Sequence, residues 1–215
     1  MRAVHRAQYL GVPAIPELTS NSQWRDGYKA GSVGYDEMFA SDQNLRPHWQ
    51  TFVSLLDRMG PPELARRWEQ GRRLIHENGV TYNVYGDPRG MDRPWELDSV
   101  PFVISAEDWA ALEPALAQRA RVLNLLLDDL YGPQALLRAG VFPPELVFWN
   151  PGFLRPCHGI KLPNNSYLNL YSADIARTMD GRWAVISDRT QAPSGAGYAL
   201  ENRIVLSRIF PDVFK

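Results

Sequence analysis

The sequence predicts an α+β fold: a helical amino-terminal region packed on a mixed β-sheet that ends in a β-hairpin plus helix. Three patterns carry this. Apolar residues recur at helical spacing between Arg46 and Tyr131. Two apolar runs, Tyr167–Tyr171 and Arg182–Ile186, flank a turn built on Met179-Asp180-Gly181. Small residues, Ser194-Gly195-Ala196-Gly197, stand just before a helical run through Ala199–Leu206.

Taken in order, residues 1–33 are weakly patterned and are expected to form a loosely ordered lead-in. Arg46-Pro47-His48-Trp49 opens a helix reaching Gly60, with Phe52, Leu55, Leu56 and Met59 on one face. Pro61-Pro62 forces a break, and a second helix runs from about Glu63 to Asn78, stopped by Gly79. Val80–Tyr85 alternates as a strand, Gly86–Gly90 reads as a turn, and Pro101–Ile104 as a short second strand. Ser105 caps the longest helix, which extends to Tyr131 and is expected to kink or split at Pro114. Gly132-Pro133 ends it, and Gln134–Ala139 makes a short helix. Residues 141–165 are loop-rich and aromatic.

Composition narrows the function classes. The 215 residues carry a net charge of −1, with 45% hydrophobic and 22% charged residues. That balance gives no electrostatic reason to expect nucleic acid or a membrane surface as partner. Cys157 is the single cysteine, so no intrachain disulfide forms. The start of the chain lacks a secretory apolar run, and no stretch approaches the roughly 20 apolar residues of a membrane span. These features suggest a cytoplasmic protein.

The carboxy-terminal region holds the candidate chemistry. Asp174 and Asp188 flank the hairpin, so both are expected to approach one Mg²⁺, a hard cation that takes carboxylate and phosphate oxygens. Read by spacing alone, the same pair also suits solvated or capping roles. Arg189 suits either an ion pair with Asp188 or a bidentate grip on phosphate. Ser194 to Gly197 suit an anion met by backbone N–H groups at a helix start, or a simple capping turn. Cys157-His158 lacks a third orienting residue and does not read as a nucleophile pair. His5, His48 and His76 have no metal-ligand spacing.

The segments Gly34–Met38, Arg46-Pro47-His48, Val84–Asp87, Pro143–Leu146, Asn150–Phe153 and Ala192–Arg203 together resemble the circularly permuted ATP-grasp proteins, of the glutathionylspermidine synthase/glutathione synthetase ATP-binding-like superfamily. The likeness runs from about Gly34 to Phe214 and corresponds to their amino-terminal part, so residues 34–215 are expected to be a partial ATP-grasp fold.

The resemblance implies ATP and Mg²⁺ as cofactors, a carboxylate substrate, and an acyl phosphate attacked by an amine. It implies metal binding by Asp174 and Asp188, catalytic roles for Arg189 and Arg203, and cofactor contacts from Ser194, Gly195, Gly197, Tyr198, Glu201 and Asn202. It also implies a missing carboxy-terminal half or a partner chain. The sequence departs from the family pattern at one place. Where Glu-x-Asn is usual it reads Ser187-Asp188-Arg189. Either Asp188 shifts in to serve, or Arg189 takes over part of the metal's charge, or the site is degenerate. The last case corresponds to a non-catalytic binding or assembly module. A third reading is a domain that recognises a carboxylate or peptide through Arg189 and Arg203 without ATP.

Overall fold

A computed structural model describes Tyr28, residues 34–82 and residues 95–214. The other residues of the expected lead-in, the Gly86–Gly90 turn and residues 83–85 of the expected strand lie outside the described residues. Thr81, inside that strand, forms a single bridge. The chain divides into two compact units. One includes Met38–Pro101 and Asn202–Lys215; the other is Gly31–Glu37 with Phe102–Glu201.

The first unit is built on α1 (Gln50–Glu77), preceded by a 3-10 turn at Pro47–Trp49. Pro47 stands at the start of this 3-10 turn, and the α-helix starts later than the sequence suggests. The expected break is present: Gly60 leaves the helical region (φ 69°, ψ 167°) just before Pro61 and Pro62. Glycine alone adopts this conformation cheaply, and the prolines cannot donate to the preceding turn.

The unit's core gathers Phe52, Val53, Leu55, Trp68 and Ile75 of α1 with Val205, Leu206, Ile209 and Phe210 at the chain's end. Phe52 and Phe210 meet edge to face at 5.5 Å. Burying each such side chain stabilises by about 1.5–3 kcal/mol. Arg67 Nη1 donates to the carbonyl of Ile209 at 3.0 Å, satisfying a helix-end acceptor.

The second unit is organised differently. Leu112 is its one buried apolar side chain among the described residues. Its long helix, α2 (Ala106–Tyr131), starts as expected at Ser105, whose Oγ accepts the N–H of Asp108 at 3.0 Å. Pro114 lies inside one continuous helix and does not split it. Proline removes a single hydrogen bond, and the rest of this long helix tolerates the loss. Next comes α3 (Ala135–Arg138). Its first amides, Ala135 and Leu136, donate to the Asp129 carboxylate at 2.8 and 3.1 Å. A single turn follows as α4 (Pro144–Phe148).

The sheet corrects the sequence reading. The described residues contain one two-stranded antiparallel sheet, β1 (Ser172–Arg177) with β2 (Trp183–Arg189), and no mixed sheet. Tyr167–Tyr171 is irregular, so the first strand lies downstream of the expected one. Asn124 Oδ1 accepts the N–H groups of Tyr167 and Leu168 at 2.9 and 3.0 Å, taking donors that strand pairing would need. Pro101–Ile104 is not a strand either; Phe102 instead packs edge to face on Trp183 at 6.3 Å. Finally, α5 (Gly195–Ile209) begins before Tyr198, so Gly195, Ala196 and Gly197 form a helical turn and not a loop.

The hairpin turn depends on Gly181. Its φ is +82°, and an added Cβ would lie 2.8 Å from Tyr35 Cε2. Gly181→Ala is therefore expected to destabilise the second unit by about 1–3 kcal/mol through backbone strain and displacement of the ring. A lowered midpoint in urea, followed by near-ultraviolet circular dichroism, checks this.

Candidate functional site

Strand periodicity decides which side chains share a face. The register pairs Ser172 with Arg189, Ala173 with Asp188 and Asp174 with Ser187. Directly opposed residues point the same way and successive ones alternate. Asp174, Ser187 and Arg189 therefore occupy one face, and Asp188 the other. A bulge after Asp174 shifts the pairing so that Ile175 opposes Val185 and Arg177 opposes Trp183. The intervening Ile186 is left exposed. The bulge keeps Ile175, Arg177, Trp183, Val185 and Asp188 together on the face that meets α2.

That inner face is held by two ion-pair clusters. Arg119 of α2 grips Asp188 through Nε and Nη2, both at 2.6 Å, and the Tyr171 hydroxyl donates to Asp188 Oδ1 at 2.7 Å. Hydrogen bonds from Arg119 and then Tyr171 hold the Asp188 carboxyl down at about 2. Burial, then Asp188, raises the Tyr171 hydroxyl above its usual value.

Arg177, with only 9% of its side chain exposed, donates to both Asp108 oxygens at 3.1 and 2.8 Å and to both Glu37 oxygens at 3.1 and 3.2 Å. It also donates to the Gly181 carbonyl at 3.0 Å. Its guanidinium lies 4.0 Å from the Trp183 ring centre and 4.7 Å from that of Tyr35. Trp183 Nε1 donates to Asp108 at 3.1 Å. The Arg177 hydrogen bonds are the main reason that the Asp108 carboxyl sits well below the usual carboxylate range.

The outer face is the more open one. Asp174 accepts a hydrogen bond from the Ser187 hydroxyl, and Arg189 donates to Asp174 Oδ2 from Nε at 3.1 Å and from Nη2 at 3.0 Å. The Ser187 hydroxyl, then Arg189, holds Asp174 below its ordinary value. Each aspartate thus has its own arginine. The two lie on opposite faces, and of the two alternatives for Arg189 the ion pair with Asp188 is replaced by one with Asp174. Among the described residues no three His, Cys, Asp or Glu side chains gather to hold a metal ion.

The remaining expected site residues lie at and along α5. Ser194 precedes the helix, and Gly195 and Gly197 form its exposed first turn. A Cβ added at either glycine meets no atom of the described residues within 4 Å. Tyr198 and Glu201 are half-buried further along the helix. Asn202 and Arg203 belong to the first unit. There Asn202 Oδ1 accepts Trp95 Nε1 at 2.8 Å, and the Arg203 guanidinium lies 5.1 Å from the Phe214 ring centre. His158 Nε2 meets the Gly132 carbonyl at 3.0 Å. No helix among the described residues is long and apolar enough to cross a membrane.

Arg119, Tyr171 and Arg177 do not stand out in the sequence as site residues, Asp108 reads there only as the acid behind the Ser105 cap, and Glu37 only as part of the Gly34–Met38 segment. One signal for Arg177 was present: with Ala173 and Ile175 it occupies the inward phase of a strand, where an unpaired charge is not tolerated.

The sequence model of the circularly permuted ATP-grasp type 2 family matches residues 101–215, which include α2, the hairpin and α5. An uncharacterized protein of Mycobacterium tuberculosis is 40% identical over 199 residues, covering 89% of this chain and 22% of the relative. An uncharacterized Synechocystis protein is 36% identical over 181 residues, covering 84% of this chain and 38% of its own length. A second M. tuberculosis protein, also uncharacterized, is 35% identical over 217 residues, covering 100% of this chain and 39% of the relative. The chain thus spans between 22% and 39% of the length of these three relatives.

Proposed function

This chain belongs to the circularly permuted ATP-grasp type 2 family, and on that premise we propose that it forms part of an ATP-dependent carboxylate–amine ligase. The observation that carries the reading is the family match over the hairpin and α5, where the Gly195–Gly197 turn at the helix start is exposed. A helix start of this kind suits phosphate oxygens through its N–H groups and its dipole.

In this reading ATP supplies the γ-phosphoryl group to a substrate carboxylate oxygen, with ADP leaving and an acyl phosphate formed. An amine then attacks the acyl carbon, phosphate departs, and the amine loses a proton as the amide forms. Within this chain the Ser194–Gly197 turn would meet an anionic group, and Arg189 would face phosphate or acyl-phosphate oxygens. Tyr198 and Glu201 would brace that turn. Asn202 and Arg203 are engaged within the first unit, with Trp95 and Phe214.

Magnesium, which the family generally uses, does not fit these two aspartates as a pair. Asp174 is satisfied by Ser187 and Arg189, and Asp188 is held on the opposite face by Arg119 and Tyr171.

The chain would act together with further polypeptide, either more of a longer protein or a partner chain. Apolar side chains exposed on the second unit, among them Trp149, Leu146, Ile186 and Val122, support that view. The Asp174–Arg189 pair also supports a second reading, a non-catalytic relative that binds or assembles.

Calorimetric titration of Mg²⁺-ATP into this chain and into a longer form extended beyond Lys215 tests both. Binding by the longer form, followed by ATP-dependent amide formation, is the expected result. Absence of nucleotide binding in both forms selects the non-catalytic reading.

A further inference from the structure

We infer that Asp174 is the holder of Arg189 and not a metal ligand, so that this hairpin face offers a phosphate-bearing ligand a fixed guanidinium in place of a divalent cation. The inference rests on the phosphate-binding reading above and deepens it. Three observations carry it.

The first is the two-residue period. It places residues 187 and 189 on the same face as Asp174 and turns residue 188 away. A cation served by this face must be met by Asp174 and the side chains at 187 and 189. Those side chains are a serine hydroxyl and a guanidinium, so among these three hairpin residues there is one carboxylate and a permanent cation.

The second is the fit between them. Arg189 lays Nε and Nη2 on Asp174 Oδ2 at 3.1 and 3.0 Å, while Ser187 donates to the same carboxylate from the neighbouring strand. The carboxylate oxygens that a metal would need are already turned to donors. A divalent ion entering there would displace the guanidinium and be left beside it, an arrangement of like charges.

The third is Asp188, the carboxylate between Ser187 and Arg189 in sequence. Its bidentate bond to Arg119 and its bond from Tyr171 hold it on the α2 side. It does not supply the second negative charge.

A guanidinium remains protonated at any working pH and carries five N–H donors in a planar fork of the kind that suits phosphate oxygens; Arg189 directs Nε and Nη2 to Asp174. Asp174 is thus a positioning residue. It fixes the direction of the fork, and Ser187 fixes Asp174.

The test pairs two titrations of the chain. Mn²⁺ binding is read from the loss of its free electron paramagnetic resonance signal. Inorganic tripolyphosphate binding is read by calorimetry in the presence of a chelator. Wild type is expected to leave millimolar Mn²⁺ free and to bind tripolyphosphate without metal. Arg189→Gln is expected to weaken that binding by about tenfold, with partial rescue in Arg189→Lys. The double variant Ser187→Glu with Arg189→Asn puts a second carboxylate opposite Asp174 and removes the cation. It is expected to gain a Mn²⁺ site that a further Asp174→Asn abolishes.

Stoichiometric Mn²⁺ binding by wild type that Asp174→Asn removes would overturn the inference. So would tripolyphosphate binding that is absent or unchanged in Arg189→Gln. Failure of the ligase reading has a separate signature, absence of ATP-dependent amide formation by the longer protein, which neither titration measures.

Discussion

Arg177→Ala is expected to destabilise the second unit by about 3 kcal/mol, the lower end for breaking a buried ion pair because Glu37 and Asp108 keep 19% and 25% of their side chains exposed. The size follows from what remains after truncation. Two carboxylates, Glu37 and Asp108, lose their common cation while still packed beside Tyr35 and Trp183. The Gly181 carbonyl loses its donor as well. In a unit with Leu112 as its one buried apolar side chain among the described residues, little hydrophobic burial offsets this. Arg177→Lys keeps the charge but not the fork, and it is expected to recover only part of the loss. Urea unfolding followed by near-ultraviolet circular dichroism, which reports Trp183, measures both variants; an Arg177→Ala midpoint equal to wild type would remove Arg177 from this role.

The same cluster sets a pH dependence. The folded Asp108 carboxyl titrates well below its ordinary value, so its contribution is fully present above that ordinary value, about 3.9. It fades as the pH falls through the lower, folded value. Asp188, held at about 2, behaves likewise between about 3.9 and about 2. Acid unfolding of wild type should therefore begin at lower pH than that of Arg177→Ala.

Much of the helical framework was legible in the sequence because its signals are local. Gly60-Pro61-Pro62 marks a break whatever surrounds it, and Ser105 with Asp108 three residues on gives the capped start found in the structure. The hairpin was legible in kind but misplaced by several residues. The apolar run Tyr167–Tyr171 resembles a strand, yet Asn124, 43 residues upstream, supplies the acceptor for its Tyr167 amide. No local rule announces that competition. The consequence for the site was larger than the shift suggests. With the strand misplaced, the phase of Asp174 against Asp188 was unread, and two carboxylates on opposite faces looked like neighbours. The bulge at Ile186 hides the phase further, because it restores Val185 and Trp183 to the inner face after a step that simple alternation does not contain. Arg119 and Arg177 find partners 69 residues away in sequence at Asp188 and Asp108, and Arg177 reaches 140 residues back to Glu37, beyond any spacing argument.

The two hairpin faces are expected to separate in function. In the longer protein, Arg189→Ala should lower kcat/KM for ATP-dependent amide formation by about 10²–10³-fold, the usual cost of removing one donor aimed at developing charge. Asp188→Asn should lower the melting temperature while leaving kcat/KM close to wild type, since its partners Arg119 and Tyr171 lie on the α2 side. The contrast turns on the register alone: Arg189 and Asp188 are adjacent in sequence, so proximity cannot explain a difference between them. If Asp188→Asn proved as damaging to turnover as Arg189→Ala at matched stability, the inner face would have to meet the nucleotide, and the outer-face assignment of the phosphate would fall. If Arg189→Ala cost stability but not turnover, the guanidinium would be no more than the counter-charge of Asp174, and the non-catalytic reading would gain. Steady-state kinetics beside thermal unfolding of the two variants therefore decides which face of the hairpin carries the chemistry.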